Sequence, residues 1–289
     1  MTKSGKPQKA HKPNRRRWNT AGASVRGASH IRNNQPCQDA IAIKNMGSYH
    51  VLSLSDGHGS SSCPYSAEGA QAAVDAASSV FDSILRSGSG NPAKTLSANK
   101  DIWLPKQIEQ QWKNAVRELH KSREDSETFS YELYGATLLS LVVTEDFAFA
   151  LQIGDGDILA ILPNCEDESK EDESHKPRVE WVITQEQSLG QDTNSLCQND
   201  AWQYAKSQFI PLEASNAKVT PMFLMCTDGY ANSFVNEAGF KKAGADFYAL
   251  YLEEGLDYID AQLEAWLAES SAVGSGDDIS LAIAVSSVS

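Results

Sequence analysis

Four aspartate-glycine pairs stand at the ends of apolar stretches, where a carboxylate can lie at the edge of a sheet. They are Asp56-Gly57, Asp155-Gly156, Asp228-Gly229 and Gly276-Asp277, and a further acid, Asp39, directly precedes the apolar run 40–43. One such pair is usually a turn, because both residue types tolerate positive φ. Four together suggest carboxylates that converge, and converging carboxylates repel each other unless a cation neutralises them. The prediction takes these strand ends to be neighbours in space.

A set of carboxylate oxygens without accompanying thiolates or imidazoles suits a hard divalent cation such as Mg²⁺ or Mn²⁺. A glycine beside each acid lets backbone carbonyls and a substrate approach closely. Two such ions can lower the pKa of a shared water and direct it in line at a phosphoryl group. His58 follows Asp56 by two residues. It is either a proton donor to the leaving group or a histidine with a structural role.

The elements that must position these acids can be placed from hydrophobic periodicity. Apolar residues at helical spacing predict helices over about 70–85, 105–121, 237–252 and 256–268. Extended apolar runs predict strands at 40–43, 49–55, 136–143, 147–153, 158–162, 179–183, 223–227 and 279–285. These helices and strands do not alternate regularly, which favours an α+β arrangement of antiparallel sheets over a doubly wound parallel sheet.

Charge is unevenly distributed along the 289 residues, whose formal net charge is −13. Residues 1–17 hold seven basic side chains and no acid, and they predict a disordered basic tail. Residues 18–289 form one predicted domain, with an acidic insertion at about 164–177 and a polar, irregular flap at about 186–219. Because this domain is strongly acidic, nucleic-acid binding is not expected of it.

The cysteines and the apolar runs bear on the compartment. Five cysteines form an odd set with no CxxC spacing, so free thiols in a reduced, cytoplasmic setting are expected rather than a disulfide framework or a zinc site. No apolar run reaches the ~18–20 residues that would span a bilayer. The basic N-terminal residues are not followed by the apolar segment of a secretory signal, so neither secretion nor membrane association is expected.

Six motifs in order resemble those of the metal-dependent serine/threonine protein phosphatases of type 2C. They are QDAIAI, SDGHGS, YGATLLSLVV, QIGDGDILAIL, MCTDGY and GDDISLAIAV. The stretch GASHIRNNQPCQDA, residues 27–40, is similar to the opening motif of the bacterial branch of that family. The resemblance covers about residues 18–287. It implies a four-layer α-β-β-α sandwich in which two antiparallel sheets are flanked by helices.

The resemblance also implies roles for the acids. Asp56 would bridge two metal ions, Gly57 would offer its carbonyl to one of them, and Asp228 and Asp277 would complete the shell of the other. Asp155 would hold a third, weaker ion together with Asp228. The side chains expected to support these ligands from behind are Gln38, Asp39 and Asp278. Asp56, Asp228 and the proton donor His58 form the expected catalytic set, while Thr137 is expected to pack and hydrogen-bond.

Three departures from the family pattern affect this interpretation. Gln38 stands where many relatives have Glu, so a neutral amide replaces an anionic group. The phosphate-binding Arg of better-known members lies in a differently spaced loop, where either Arg32 or His30 could take its role, with the bidentate guanidinium of Arg32 favoured. Asp157 replaces an Arg that often follows the Gly-Asp-Ser motif.

The function implied is hydrolysis of phosphoserine and phosphothreonine in proteins by direct attack of a metal-bridging hydroxide. Two Mn²⁺ or Mg²⁺ ions would be required, with room for a third. The expected partners are a phosphorylated protein substrate and a cognate Ser/Thr kinase, and the chain is expected to be a monomer. Two alternatives remain at this point: a catalytically weak regulatory member that binds phosphoproteins, and a two-metal hydrolase of small phosphoesters.

Overall fold

The computed structural model describes residues 16–87, 90–123, 128–163, 176–184, 193–212 and 220–288. Most of the basic tail, nearly all of the acidic insertion and two parts of the predicted flap (186–192 and 213–219) lie outside these residues. The tail was predicted to reach residue 17, and this boundary is wrong. Arg16 and Arg17 begin the first strand and pair with the last strand of the chain.

In the part of the chain that the structure describes, ten strands form two five-stranded sheets, and every pairing between neighbours is antiparallel. Sheet A has the order β1-β10-β9-β6-β7, with β1 Arg16–Val25, β10 Ile279–Val288, β9 Met222–Cys226, β6 Asp157–Leu162 and β7 Arg178–Trp181. Sheet B has the order β2-β3-β4-β5-β8, with β2 Ala40–Asn45, β3 Tyr49–Ser55, β4 Leu138–Thr144, β5 Phe147–Ile153 and β8 Lys206–Pro211.

The helices cover the outer faces of the two sheets. Their bounds are α1 Ala28–Arg32, α2 Ser66–Arg86, α3 Pro92–Asn99, α4 Trp103–Lys121, α5 Asp228–Ala231, α6 Glu237–Glu254 and α7 Leu256–Val273. α2 packs on sheet B with α4 against it, and α6 and α7 pack on sheet A. The predicted sandwich of two helix-flanked antiparallel sheets is confirmed.

Strand β3 shows why the middle strands are largely apolar. Leu52 and Leu54 point between the sheets, where they meet residues of sheet A such as Phe223 and Met225. Tyr49 and Val51 point to the opposite face and pack under the helices. A strand that is buried on both faces reads as a continuous apolar run, because neither set of alternating side chains meets water. No helix in the described ranges is long and apolar enough to span a membrane.

The helices α1, α3 and α5 and the strand β8 lie outside the predicted elements. β8 lies inside the predicted irregular flap, so that part of the prediction is wrong. Its side chains alternate between exposed and partly buried positions at the outer edge of sheet B, and such an edge strand carries a weak apolar signal. α3 follows the predicted break at 87–92. Asn91 is the N-cap residue of this helix, and its side chain accepts a hydrogen bond from the Lys94 amide.

Candidate metal centre

Asp56 directly follows β3 and is held in place by the strand beside it. Its amide donates to Thr137 Oγ1 at 3.0 Å, and its carbonyl accepts from the Thr137 amide at 2.8 Å. Ser55 Oγ donates to the Thr137 carbonyl at 2.5 Å. These three contacts fix the backbone on both sides of the Asp56 side chain. Thr137 thus has the hydrogen-bonding role expected of it.

Gly57 occupies a position with no room for a side chain. A Cβ built there would lie 2.7 Å from the Gln38 carbonyl oxygen and 2.7 Å from the Ser66 carbonyl oxygen. Its amide donates to the Gln38 carbonyl at 3.2 Å. The glycine therefore lets the loop after Asp56 pass between the segment before β2 and the start of α2. The use of the Gly57 carbonyl as a metal ligand stays a prediction.

Asp155 lies in the tight turn that carries the chain from sheet B to sheet A. The flanking Gly154 and Gly156 have φ values of 94° and 91°, a left-handed conformation that favours glycine. The Gln152 side-chain amide donates to both glycine carbonyls, at 3.1 and 3.0 Å. Thr193 Oγ1 donates to Asp155 Oδ2 at 2.7 Å. The turn and its hydrogen bonds thereby fix the place of the Asp155 carboxylate.

Sheet A brings the remaining acids to the same end of the sandwich. Asp157, at the start of β6, lies opposite Cys226 at the end of β9, which places Asp155 close to Asp228. The Thr227 amide donates to the Ser280 carbonyl at 3.0 Å, which places Asp228 beside the start of β10. Asn232, one turn further along, donates to Asp228 Oδ2 at 2.9 Å.

The carboxyl groups of Asp56 and Asp228 interact with each other, and a hydrogen bond between them favours the protonated form of Asp56 and the ionised form of Asp228. Burial is the main cause that raises the pKa of Asp56 well above its ordinary value, and the neighbouring charges of Asp39, Asp228 and Asp155 add to it. Burial likewise raises the pKa of Asp228 to about 6, with Asp155 and Asp277 contributing. The protein thus concentrates carboxylates that are costly to ionise together.

Asp277 and Asp278 have different environments although they are adjacent. Asp278 is buried, and its two oxygens accept from the amides of Gly27 and Gln38, each at 2.6 Å. His30 Nδ1 lies 2.9 Å from Asp278 Oδ2, and its Nε2 lies 3.6 Å from Asp277 Oδ1. The Asp277 side chain is half exposed. Asp278 therefore anchors the segment before β2 to the start of β10, while Asp277 remains open to a ligand.

Asp39 and Gln38 lie behind the acids and have incomplete hydrogen bonding. Asp39 Oδ2 accepts from Thr227 Oγ1 at 2.8 Å, and burial is the main cause that raises the pKa of Asp39 to about 8. Asp39 Oδ1 and Gln38 Oε1 are buried without a hydrogen-bond partner among the described residues. Buried polar atoms normally have a partner, so these two acceptors suit bound water or an ion.

His58 projects from the loop just beyond Asp56. Its amide donates to the Gly135 carbonyl at 3.0 Å, and its ring packs so closely on Gly135 that a Cβ there would lie 2.7 Å from His58 Cδ2. Burial lowers the pKa of His58, and the Asp155 charge opposes that shift. The opposing effect of Asp155 on this pKa means that the imidazole is near enough to sense the Asp155 charge.

The two candidate phosphate ligands, His30 and Arg32, both belong to the short helix α1. The ring nitrogens of His30 face Asp278 and Asp277 at ion-pair distances, although Nδ1 forms no hydrogen bond with a described residue, so the imidazole is directed at the carboxylates. Arg32 is exposed, and its Nη2 lies 3.9 Å from the position of a Cβ built on Gly276, next to Asp277. The guanidinium, which forms no ion pair with a described residue, is therefore the better placed of the two for an incoming anion.

A cavity of about 560 Å³ opens beside Asp155 and Asp228. Its walls include Trp181 and Phe234. Asp157 also lines it, but its Oδ1 accepts from Trp181 Nε1 at 2.8 Å, so it is fixed to the wall. The cavity adjoins the acids and has room for side chains of a substrate.

The donor set fits hard divalent cations by chemistry. Several carboxylate oxygens converge, Asp56 and Asp228 have raised pKa values because they are buried near other acids, and an unpartnered carboxylate oxygen lies behind them at Asp39. Among the described residues, no three or more His, Cys, Asp or Glu side chains are already arranged as a metal-ligand group. The acids would therefore have to lose protons and adjust their positions as ions bind.

Comparisons with known proteins agree with this site. The family model for protein phosphatase 2C matches residues 26–268. The chain belongs to the protein phosphatase 2C family. No curated protein sequence matches it significantly. The predicted metal-dependent Ser/Thr protein phosphatase is thereby confirmed at the level of the family.

Several solved structures share the fold of this protein phosphatase 2C member. PppA of Pseudomonas aeruginosa, a regulatory component of the T6SS, has a TM-score of 0.58 and 14% identity over 93% of this chain and 98% of that chain. The S. agalactiae serine/threonine phosphatase has a TM-score of 0.56 and 16% identity over 93% and 99%. The catalytic domain of PstP, solved with two manganese ions, has a TM-score of 0.55 and 16% identity over 94% and 99%.

Three polar side chains that contact the acids were not predicted from the sequence. Thr193 lies in the predicted flap, where nothing in the local pattern distinguishes it from other polar residues. Thr227 directly precedes Asp228, and Asn232 follows it by four residues. Four residues is the helical spacing at which two side chains meet, so the Asn232 contact could have been found if the helix after Asp228 had been recognised.

Proposed function

We propose that this chain hydrolyses phosphoserine and phosphothreonine in proteins at the acids around Asp56 and Asp228, with two Mn²⁺ or Mg²⁺ ions and a weaker third. The contact between the Asp56 and Asp228 carboxyl groups, made costly by burial and by nearby acids, is the observation that carries the proposal. Membership of the protein phosphatase 2C family supports the same reaction. The bound ions would neutralise the carboxylates and activate the attacking water.

The residues of the chain divide the remaining tasks. Asp56, Asp228 and Asp277 would hold the ions, with Asp155 at the weaker position and the Gly57 carbonyl as a further ligand. Asp278 would keep Asp277 in position through its bonds to the Gly27 and Gln38 amides. Asp39 and Gln38 would hold water at their unpartnered oxygens.

Substrate binding would use the exposed side of the centre. Arg32 would bind the phosphate with its guanidinium, whose planar fork matches two phosphate oxygens. The cavity beside Asp155 and Asp228 would receive residues that flank the phosphorylated side chain. A protein phosphatase would fill this cavity with residues of its substrate, whereas a hydrolase of small phosphoesters would not need it.

His58 would give a proton to the departing serine or threonine oxygen. This role can be tested through the leaving group, since a phenolate leaves without the help that an alkoxide needs. Replacing His58 with Gln should reduce turnover of a phosphothreonine peptide by about 10²–10⁴-fold. Turnover of p-nitrophenyl phosphate should fall much less. Equal losses on both substrates would assign His58 a structural role.

The cellular setting is proposed from the same residues. We infer a monomeric enzyme that acts on the phosphoprotein products of a cognate Ser/Thr kinase. The cysteines that the structure describes are free thiols, which supports a reduced, cytoplasmic setting. We also infer that residues 16–289 form a single phosphatase domain, preceded by a basic tail.

The test of the proposed function is phosphate release from a phosphothreonine peptide, with Mn²⁺ present or removed by chelation. Asp56→Asn and Asp228→Asn should each lower turnover by more than ~100-fold, since outer partners of metal ligands alone account for ~10–100-fold. Asp246→Asn is the matched control, because Asp246 is exposed on α6 and paired with Lys242. Activity without metal, or activity that survives both site substitutions, would refute the assignment.

The same variants separate loss of the site from loss of the fold. Asn at position 56 removes a carboxylate from a crowded, buried group, so metal-free Asp56→Asn should be at least as stable as the wild type. A regulatory, catalytically weak protein would instead bind Mn²⁺ and phosphopeptide without releasing phosphate. That outcome would favour the regulatory alternative, to which the neutral Gln38 gives its main support.

A further inference from the structure

Two cysteine thiols meet behind the loop that carries Asp56 and His58. A Cβ built on Gly135 would lie 3.3 Å from Cys63 Sγ and 3.4 Å from Cys197 Sγ. The two sulfurs can therefore be no farther apart than these two distances added together. His58 Cδ2 lies 2.7 Å from the same point. Two thiols and one imidazole thus share the space over a single glycine.

Both cysteines are free in the structure and lie in loops rather than in sheet strands. Cys63 is buried between β3 and α2, where its amide donates to the Ser60 carbonyl at 2.9 Å. Cys197 is only partly buried, and its Sγ lies 3.2 Å from Ser195 Oγ. Loops can shift to bring two sulfurs to the ~2.05 Å of a disulfide, whereas paired strands cannot do so without breaking their ladder.

We propose that Cys63 and Cys197 form a reversible disulfide, a modification site next to the catalytic loop. Hydrogen peroxide is the oxidant. The Cys197 sulfur attacks one peroxide oxygen, the O–O bond breaks, and a sulfenic acid forms with release of one water. The Cys63 sulfur then attacks the sulfenic sulfur, the S–S bond forms, and a second water leaves. Two thiols thereby supply the two electrons that reduce one peroxide to two waters.

Exposure decides the order of these steps. Cys197 is the more accessible thiol, so it meets the oxidant first, and the buried Cys63 resolves the sulfenic acid. Burial raises the pKa of the Cys197 thiol, which keeps the thiolate fraction small. Oxidation is therefore expected to need excess peroxide and to be slower than at a catalytic cysteine.

The link would connect two segments that both contact the metal centre. On one side, Cys63 belongs to the loop that begins with Asp56 and contains His58. On the other, the segment of Cys197 contains Thr193, which donates to Asp155 Oδ2. Drawing the sulfurs together over Gly135 changes the surface on which the His58 ring rests. Given the proposed function, we expect the disulfide to lower phosphatase activity reversibly.

The experiment treats the full chain, loaded with Mn²⁺, with excess hydrogen peroxide and then blocks the remaining thiols. Peptide mapping without reductant should detect a peptide that joins Cys63 to Cys197 and that disappears after treatment with dithiothreitol. Activity on a phosphothreonine peptide should fall several-fold and recover with the reductant. Cys63→Ser and Cys197→Ser should each abolish the linked peptide, whereas Cys37→Ser should retain it.

Peptide mapping tests whether the disulfide forms, and the activity assay tests separately whether it regulates the enzyme. Oxidation that leaves Cys63 and Cys197 unlinked, or that joins either of them to Cys165 instead, would overturn the proposed pair. If peroxide links the two cysteines in the wild type but lowers the activity of Cys197→Ser by the same factor, the disulfide has no regulatory effect. If Cys63→Ser does not fold, Cys197→Ser provides the same comparison. A linked peptide in a chain without phosphatase activity would leave the disulfide standing and refute only the proposed function.

Discussion

Thr137 provides a way to weaken the Asp56 position without touching a carboxylate. Its side chain is buried, and its Oγ1 accepts a hydrogen bond from the Asp56 amide nitrogen, which lies 3.0 Å away. Thr137→Val keeps the shape of the side chain but leaves this amide without its partner. An unsatisfied buried donor costs about 1–3 kcal/mol. For a domain of this size class, each kcal/mol lowers Tm by roughly 2–4 °C.

The effect on the metal centre should be separable from the loss of stability. Asp56 would lose one of the contacts that fix its backbone, so half-maximal activity of Thr137→Val should require more Mn²⁺ than the wild type. Ser140→Ala is the matched control. It removes the buried 3.0 Å hydrogen bond between the Ser140 and Ser53 hydroxyls, which lies on neighbouring strands away from the acids. The assays are thermal unfolding in chelator and activity against Mn²⁺ concentration. A similar Tm loss in both variants with the same unchanged Mn²⁺ requirement would refute the reasoning.

Three further perturbations test the packing and electrostatics of the centre. In chelator, stability should fall from about pH 4, the ordinary pKa of Asp, up to about pH 8, and more steeply below about pH 6 than above it. The raised pKa values of Asp228 and Asp39 mean that the folded state favours their protonated forms, and Mn²⁺ should reverse much of the loss seen by thermal unfolding at pH 8. Asp278→Ala should lower the free energy of unfolding in urea by more than ~2 kcal/mol, because two buried backbone amides lose their acceptor; a smaller change would contradict its anchoring role. Gly57→Ala should reduce both Tm and activity, since its Cβ would lie 2.7 Å from two backbone oxygens, and full activity with an unchanged Tm would contradict the close packing described.

Much of the fold could be predicted because its strands are buried on both faces. The runs at 49–55 and 147–153 match β3 and β5 residue for residue, since every position is buried and neither run contains Asp, Glu, Lys or Arg. β8 could not be found in this way, because an edge strand needs only half its side chains to be apolar. α3 was missed because the glycine- and proline-containing segment before it signals the end of one helix but not the start of another.

The acids of the site could be predicted from their types, but the contacts between them could not. The order of strands in the two sheets, which brings Asp56 and Asp228 together, depends on long-range pairing that spacing along the chain does not encode. His30 illustrates the difference. As a residue type it suits a phosphate, yet the structure turns its ring nitrogens toward Asp278 and Asp277. That orientation depends on the approach of α1 to the start of β10.

The central claim is that the acids around Asp56 and Asp228 form a centre for divalent cations. A calorimetric titration of Mn²⁺ into the metal-free protein near pH 7, repeated in buffers of different ionisation enthalpy, measures the number of ions bound and the protons released. We expect at least two ions to bind per chain, protons to be released as the carboxyl groups ionise, and tight binding to be lost in Asp56→Asn. Binding by Asp56→Asn with unchanged number and affinity would contradict the claim.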